Sequence, residues 1–323
     1  MKNMLAVTIG DANGVGPEIL LKAYKNNEIN GNFIAFGDVS VLELCNEKLG
    51  YDVKIHAIYN VKDYKQGVLN VFDAALLKKE QIIPGEISEE VAAASREYVV
   101  TATKMAKDGI FGAVVTLPVN KEGIRLTDPE FTGHTELIAG ICGEDNYTMM
   151  LASKKLTVTH VSTHVSMENA VKLVTKQRVL DVIKLTNDAI SRFKGNPRIA
   201  VAGLNAHSGE NGAFGMQEIN EISPAIEAAA GQGINAVGPI PPDTVFLRAS
   251  KGEFDAVVCM YHDQGHIPMK LLDFEGGVNV TLGLEVMRTS VDHGTAFDIA
   301  WQGKAATGSF AAAYNYAMLV RKK

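Results

Sequence analysis

Short apolar runs that end in glycine-containing turns and lead into helical periodicity recur along the chain. This alternation restricts the possible folds more than any other feature. Residues 5–9 form an apolar strand that runs into Gly10-Asp11-Ala12-Asn13-Gly14-Val15-Gly16-Pro17-Glu18 and then the helical run Ile19-Leu20-Leu21-Lys22-Ala23. Pro17 suits the first turn of a helix, and Glu18 complements its positive end. Residues 33–37 repeat the pattern, with Asp38 as the expected N-cap of a helix that stops at Gly50. A strand is expected over 53–58, and the polar stretch 60–85 reads as an insertion. Residues 88–107 carry a long amphipathic helix stopped by Asp108-Gly109, and 112–116 is the next strand. Strands alternating with helices in this way build parallel βαβ units.

Beyond them, 147–152 and 156–161 read as an antiparallel strand pair, 169–193 as helices and 198–202 as a strand. Gly238-Pro239-Ile240-Pro241-Pro242 reads as a rigid turn that presents Asp243 at a helix start, and 256–260 is a further strand. A length of 323 residues accommodates two domains or one large one. The net charge of -6 argues against a nucleic-acid surface, which needs a basic field. No run reaches the roughly 20 apolar residues of a membrane span. The first residues pass straight into a strand pattern, so no signal peptide and a cytoplasmic location are expected. Cys45, Cys142 and Cys259 lack metal-ligand spacing and read as small buried hydrophobes.

The chemistry concentrates between Asp255 and Asp298, where the polar residues, Lys270 among them, are expected along strand ends and Gly-rich turns. Tyr261-His262-Asp263-Gln264-Gly265 follows the apolar strand, and then come Lys270, the Gly-rich Gly276-Gly277-Val278-Asn279, and Arg288. Strand ends in α/β proteins open onto the ligand crevice. His164, His207 and His262 each stand just beyond an expected strand, so three imidazoles could gather as a divalent-metal site, or could be locally bonded strand-end histidines. His56, His160 and His266 are expected to be of the locally bonded kind. Lys270, Asn279 and Arg288 supply donors for a phosphate or carboxylate, while Asp243 and Asp263 could orient imidazoles or act as bases. His134 and the N–H groups of the helix that follows Phe131-Thr132-Gly133 could face an anion, with Thr135 or a neighbour as the cap.

These segments together resemble the 4-hydroxythreonine-4-phosphate dehydrogenase family of vitamin B6 synthesis, over essentially the whole chain. The likeness rests on Gly10-Asp11 through Glu18, Gly133-His134-Thr135-Glu136, Asn205 through Glu210, Tyr261 through Gly265, and Gly277 through Thr295. The first of these, with His293-Gly294-Thr295-Ala296 and Asp298, is also similar to the isocitrate and isopropylmalate dehydrogenases. The resemblance implies an α/β fold: a two-domain α/β/α sandwich with a mixed sheet and the active site in the interdomain cleft. Residues 1–128 plus 285–323 would form the cofactor-side domain, and 129–284 the substrate, metal and dimerisation domain.

Carried over by position, the resemblance implies metal ligands at His164, His207 and His262, and substrate contacts at His134, Thr135, Lys270, Asn279 and Arg288. Lys270, Asp243 and Asp263 are the candidate bases. Gly10, Asp11 and Gly14, with Asp292, His293, Gly294 and Thr295, would flank NAD or NADP. One divalent metal (Zn, Mg, Mn or Co) per site and a homodimer with shared active sites are implied too. The expected reaction is oxidation and decarboxylation of a 4-phosphorylated 3-hydroxy acid, 4-phosphohydroxy-L-threonine giving 3-amino-2-oxopropyl phosphate. A sister branch acts on D-threonate or D-erythronate 4-phosphate and gives dihydroxyacetone phosphate. A metal-dependent phosphate-ester hydrolase and a non-catalytic binding protein are the rival classes. Ala12-Asn13, Ala206 and Glu285 depart from the family pattern beside the cofactor and substrate loops.

Overall fold

The computed structural model describes residues 4–29, 31–273 and 276–321. Chain contacts divide it into one unit of Met1–Asp145 with Leu284–Lys323 and a second of Asn146–Gly283. The division falls after Asp145 rather than after 128, because the helix that carries His134 packs on the long helix of the first unit.

In chain order the first unit supplies β1 (Leu5–Thr8), α1 (Gly16–Lys25), β2 (Phe33–Gly37), α2 (Val39–Leu49), β3 (Ile55–Ile58) and β4 (Leu69–Asp73). It continues with α3 (Glu89–Lys107), β5 (Ala113–Thr116), α4 (Lys121–Arg125) and α5 (His134–Cys142). The second unit contains β6 (Thr148–Ala152), β7 (Thr157–His160), α6 (Met167–Leu173), α7 (Lys176–Ile190), β8 (Ile199–Ala202) and α8 (Ser223–Ala230). Then come β9 (Ala236–Ile240), α9 (Pro242–Ser250), β10 (Ala256–Cys259), α10 (His262–Leu272) and β11 (Val278–Leu282). The chain returns to the first unit as β12 (Arg288–Ser290) and α11 (Gly308–Val320).

In the first unit the strands run β3-β4-β2-β1-β5-β12, all parallel, with Val7 paired to Ala35 on one side and Val115 on the other. β1, β2 and β5 are buried throughout, the continuous apolar reading expected of parallel strands covered on both faces. Helix α3 packs on β1, β2 and β5, and its N-cap Ser88 accepts the Val91 N–H.

In the second unit the order is β11-β6-β7-β10-β8-β9, with β11–β6 and β6–β7 antiparallel and the remaining pairs parallel. Alternate residues serve opposite faces. Ile199, Val201 and Val258 meet α7 and α8, whereas Ala200, Ala202, Val257 and Cys259 meet α9 and α10. The result is a mixed α/β architecture with helices on both faces of the sheet. All three cysteines are buried and free.

Four local expectations need correction. The stretch 60–85 contains β4, an internal strand between β3 and β2 whose Leu69, Asn70 and Val71 are buried, so it is part of the sheet. The proline-rich 238–242 includes β9. This strand lies at the end of the sheet order, where the N–H that Pro239 lacks costs no ladder bond. Asp38 occupies the N-cap position of α2 as expected, but its side chain makes no cap bond. Its carboxylate accepts the N–H groups of Leu76 and Leu77 and the Tyr98 hydroxyl. The residues after β10 form α10, despite Gly265 and Pro268, so Lys270 stands on a helix and not on a turn. Among the described residues no helix is long and apolar enough to cross a membrane.

Candidate active site

In the first unit, β5 and β12 pair side by side with Arg288 opposite Val114, and the Arg288 side chain reaches Thr116 at the end of β5. The Arg288 side chain donates to Thr116 Oγ1 from Nη2 (2.9 Å) and Nε (3.2 Å), and to Thr135 Oγ1 from Nη1 (3.2 Å). Arg288 is only 4% exposed, and burial draws its guanidinium down to about 10, opposed by the charge of Glu136. It remains a cation at neutral pH.

Thr135 is in the first turn of α5, where N–H groups lack intrahelical acceptors. The N-cap is Gly133, without a side-chain cap bond, so Thr135 serves Arg288 and not the cap. His134 Nε2 is buried and has no hydrogen-bond partner among the described residues. Burial, then Arg288 and Lys121, hold this imidazole well below its usual range, so it is neutral. Lys121 Nζ lies 3.3 Å from where a Cβ on Gly133 would stand. A neutral imidazole, a fixed guanidinium, an ammonium and a helix N-terminus thus converge on one place, a donor set suited to an anion. His134, Thr135 and Arg288 were expected here. Thr116 and Lys121 were missed, because a threonine ending a strand and a lysine starting a short helix have no distinguishing sequence signal.

The expected cofactor residues also lie in the first unit. Gly10, at φ 74, has no room for a side chain, since a Cβ would stand 2.3 Å from the Pro118 carbonyl. The Val15 N–H donates to the Thr295 carbonyl at 3.0 Å, which seats Gly14 against Thr295. Gly10, Asp11 and Gly14 are buried, and burial raises the Asp11 carboxyl to about 6 against N–H bonds from Asn13 and Asn120. Asp292 and Thr295 are half-buried, while His293 and Gly294 are exposed. Glu18 is fully buried; its Oε1 accepts the Ala305 N–H at 2.8 Å, and its Oε2 has no hydrogen-bond partner among the described residues. Asn13 joins this turn to the segment ahead of α3, accepting from Ile83 N–H and donating to the Glu86 carbonyl, both at 2.9 Å.

In the second unit, β7, β10 and β8 are parallel neighbours, so the loops that follow them leave the same edge of the sheet. His164 follows β7, His262 opens α10 directly after β10, and His207 follows β8. The His164 and His262 rings lie 5.6 Å apart. His262 Nδ1 meets Asp263 Oδ1 at 2.7 Å, which fixes the ring and leaves Nε2 as the outward nitrogen. His207 stands in a tight turn over Ala206–Gly212, with its ring against Phe214. Among the described residues no three His, Cys, Asp or Glu side chains are gathered closely enough to hold a metal. The chain therefore pairs His164 with His262 and carries His207 separately.

Helix α10 sets His262, His266 and Lys270 four residues apart on one face. The His266 ring stacks on His262 at 3.6 Å, and its Nδ1 lies 3.1 Å from the His262 carbonyl and 3.2 Å from His160 Nε2. His160 Nδ1 lies 3.2 Å from the Met149 carbonyl. One tautomer set satisfies all these contacts, with Nδ1–H on both rings. Burial, more than neighbouring imidazoles, brings His160 to about 3 and His266 to about 4, so both are neutral. Burial also lowers Lys270. Asn279 sits on β11 with a buried Oδ1 that has no hydrogen-bond partner among the described residues. Asp243 is exposed in the first turn of α9, a helix that adjoins the His207 turn.

The family model of the pyridoxal phosphate biosynthetic protein PdxA matches residues 29–317. The 4-hydroxythreonine-4-phosphate dehydrogenase of Desulfosudis oleivorans is 44% identical over 322 residues, covering 98% of this chain and 95% of that protein. The D-threonate 4-phosphate dehydrogenase of Salmonella typhimurium is 42% identical over 319 residues, covering 97% and 98%. A crystal structure of 4-hydroxythreonine-4-phosphate dehydrogenase from Klebsiella pneumoniae superposes with a TM-score of 0.89 at 39% identity, covering 98% of this chain and 99% of that one. Likeness of this extent, in sequence and in fold, places the chain in the PdxA family.

Proposed function

We propose that this protein is a metal- and nicotinamide-dependent dehydrogenase that oxidises the C3 hydroxyl of a 4-phosphorylated 3-hydroxy acid, with loss of CO2. The observation that carries the reading is the anion site at the head of α5, where Arg288 is fixed by Thr116 and Thr135 beside His134 Nε2, which has no hydrogen-bond partner among the described residues. The substrates in the two relatives' names share a four-carbon 3-hydroxy acid chain and its 4-phosphate, and they differ at C2, amino in one and hydroxyl in the other. Binding a remote phosphate converts its binding energy into orientation of the reacting carbon.

The residue types are those such a reaction needs, although among the described residues of the single chain no three potential metal ligands are gathered. His164, His207 and His262 would hold a divalent metal, which supplies the Lewis acidity that makes a hydroxyl easier to deprotonate. Asp263 keeps His262 in the tautomer a metal ligand requires. Residues Asp292, His293, Gly294 and Thr295 would meet NAD or NADP, the hydride acceptor, with Gly10, Asp11 and Gly14 as the packed floor beneath them. Lys270 is the favoured proton acceptor, because burial lowers its pKa toward the working range of a base. Asp263 is committed to His262. Asn279 offers an amide oxygen with no hydrogen-bond partner among the described residues.

A homodimer with shared sites fits the same reading. His164 and His207 are exposed in the single chain, and the segments after them carry the exposed apolar side chains Met167, Leu173, Phe214 and Met216. The test is NADH formation at 340 nm with added divalent metal, comparing 4-phosphohydroxy-L-threonine with D-threonate and D-erythronate 4-phosphates. Metal-dependent turnover on one of them is expected, and the preferred substrate assigns the branch. Undiminished turnover in metal-stripped buffer sinks the metal role, and no turnover on any substrate sinks the dehydrogenase.

A further inference from the structure

Asp11 holds the turn after β1 to the segment that leaves β5. Thr8 and Thr116 pair at the last register position of the two strands, and the Leu117 N–H donates to the Thr8 carbonyl at 3.3 Å. Beyond this point β5 leaves the sheet through Pro118-Val119-Asn120 and enters α4 at Lys121. Asp11 meets this exit twice. Its N–H donates to the Pro118 carbonyl at 2.8 Å, and its buried carboxylate accepts the Asn120 N–H. Oδ1 also accepts the Asn13 N–H at 2.9 Å, so one carboxylate serves both segments.

The exit leads directly to the anion site. Asn120 caps α4, its Oδ1 accepting the Gly123 N–H at 2.7 Å, and Lys121 is the next residue. The Lys121 ammonium reaches the head of α5, 3.3 Å from where a Cβ on Gly133 would stand, and Glu136 Oε2 lies 3.0 Å from the same point. An anion arriving beside Arg288 and His134 would be repelled by that carboxylate, and an ammonium placed here offsets the repulsion. A lysine carries its charge on a flexible four-carbon stem, so where the charge sits depends on where the backbone is fixed. Burial raises the Asp11 carboxyl, so the stability this group contributes at low pH is lost as pH rises to neutrality. Groups retained against stability concentrate at functional sites.

We infer that Asp11 is a positioning residue for the anion site: by holding the Asn120 backbone, it sets the Lys121 ammonium at the head of α5. The inference rests on the reading of that place as the phosphate site. In the sequence Asp11 and Lys121 stand far apart, and nothing in either segment points to the other.

The experiment is titration of the full-length protein with inorganic phosphate at pH 7.5, without added metal, followed by isothermal calorimetry. It compares the wild type, Asp11→Asn, Asp11→Ala, Lys121→Ala, Arg288→Gln and the double variant Asp11→Asn/Lys121→Ala, with urea denaturation of each. Lys121→Ala should weaken phosphate binding about 10- to 100-fold. Asp11→Asn keeps the volume and one acceptor oxygen, and should weaken it about 3- to 10-fold while raising resistance to urea. A gain in stability with a loss of affinity is not the signature of a damaged fold. Asp11→Ala, which can accept neither N–H, should lose more affinity than Asp11→Asn. In the Lys121→Ala background the Asp11→Asn change should cost nothing further. An equal loss with and without Lys121 makes Asp11 merely structural and overturns the inference. So does wild-type affinity in Asp11→Asn or in Lys121→Ala, and Asp11→Asn carries the test if Asp11→Ala fails to fold. Unchanged affinity in Arg288→Gln fails separately, because it removes the phosphate reading of the site itself.

Discussion

Arg288 and Thr116 lie on adjacent parallel strands, and the guanidinium meets the hydroxyl twice, from Nη2 at 2.9 Å and from Nε at 3.2 Å. A long side chain with five donors is held in one orientation before any ligand arrives, so its ordering entropy is spent during folding and not during binding.

Thr116→Val keeps the shape of the side chain and removes the acceptor. A hydrogen bond to a charged group contributes about 1.5–3 kcal/mol, more than one between neutral groups. The variant should therefore lose about 10- to 100-fold in kcat/KM for the phosphorylated substrate, mostly through KM. Thr116→Ser, which restores the hydroxyl, should recover most of it. Steady-state kinetics with inorganic phosphate as competing ligand checks the assignment: a Thr116→Val enzyme with wild-type KM and phosphate inhibition would remove Thr116 from the anion site.

Asp11 sets an opposing demand on stability. It is 2% exposed, and burial raises its carboxyl from 3.8 to about 6. Between these values the folded protein retains a proton that the unfolded chain has released. Stability from this group is therefore fully present below pH 3.8 and is lost as pH rises through about 6. The loss is on the order of 3 kcal/mol at neutral pH. Asp11→Asn keeps an acceptor for the Asn13 N–H and discards the charge. It should raise the resistance of the first unit to urea at pH 7.5 by roughly 2–3 kcal/mol and change it little at pH 4. Urea denaturation at the two pH values decides the matter, and an equal effect at both would place the ionised carboxylate in contact with solvent.

Much of the architecture was legible because strand burial and helix periodicity are local signals. The runs at β1, β2, β5, β8 and β10 are apolar and end in glycine or polar turns, and α3 begins one residue from the expected start at 88. β4 and β9 escaped for physical reasons. β4 alternates Asn70 with apolar residues, and Asn70 is buried only because its side chain is bonded to the backbone at Lys65 and Val68. β9 carries a proline that only an edge strand tolerates. At the candidate site, residue types pointed to His134, Arg288 and the strand-end histidines, and the structure sets Arg288 beside Thr135 and the histidines after β7, β8 and β10. Thr116, which fixes Arg288, and Lys121, which lies beside Gly133, were not visible, because both act across long sequence separations. Asn13 makes the same point. It departs from the family pattern, yet it is fully buried and its amide joins the first turn to Ile83 and Glu86, which gives the substitution a packing role.

Asp263 was a candidate base, and its geometry favours a different part. Its carboxylate is largely exposed and accepts from His262 Nδ1 at 2.7 Å, the arrangement that orients a metal-binding imidazole. A residue of this kind acts through its acceptor oxygen, and a base acts through its affinity for a proton. Asparagine keeps the first property and lacks the second. On the orienting role, Asp263→Asn should bind cobalt(II) close to wild type with near-normal kcat. Asp263→Ala should bind it about 10- to 100-fold more weakly and recover kcat at high metal. On the base role, both variants would lose kcat at every metal concentration while binding the ion normally. Measuring kcat at saturating metal alongside cobalt affinity therefore separates the two, and we expect the orienting pattern, with proton transfer left to Lys270.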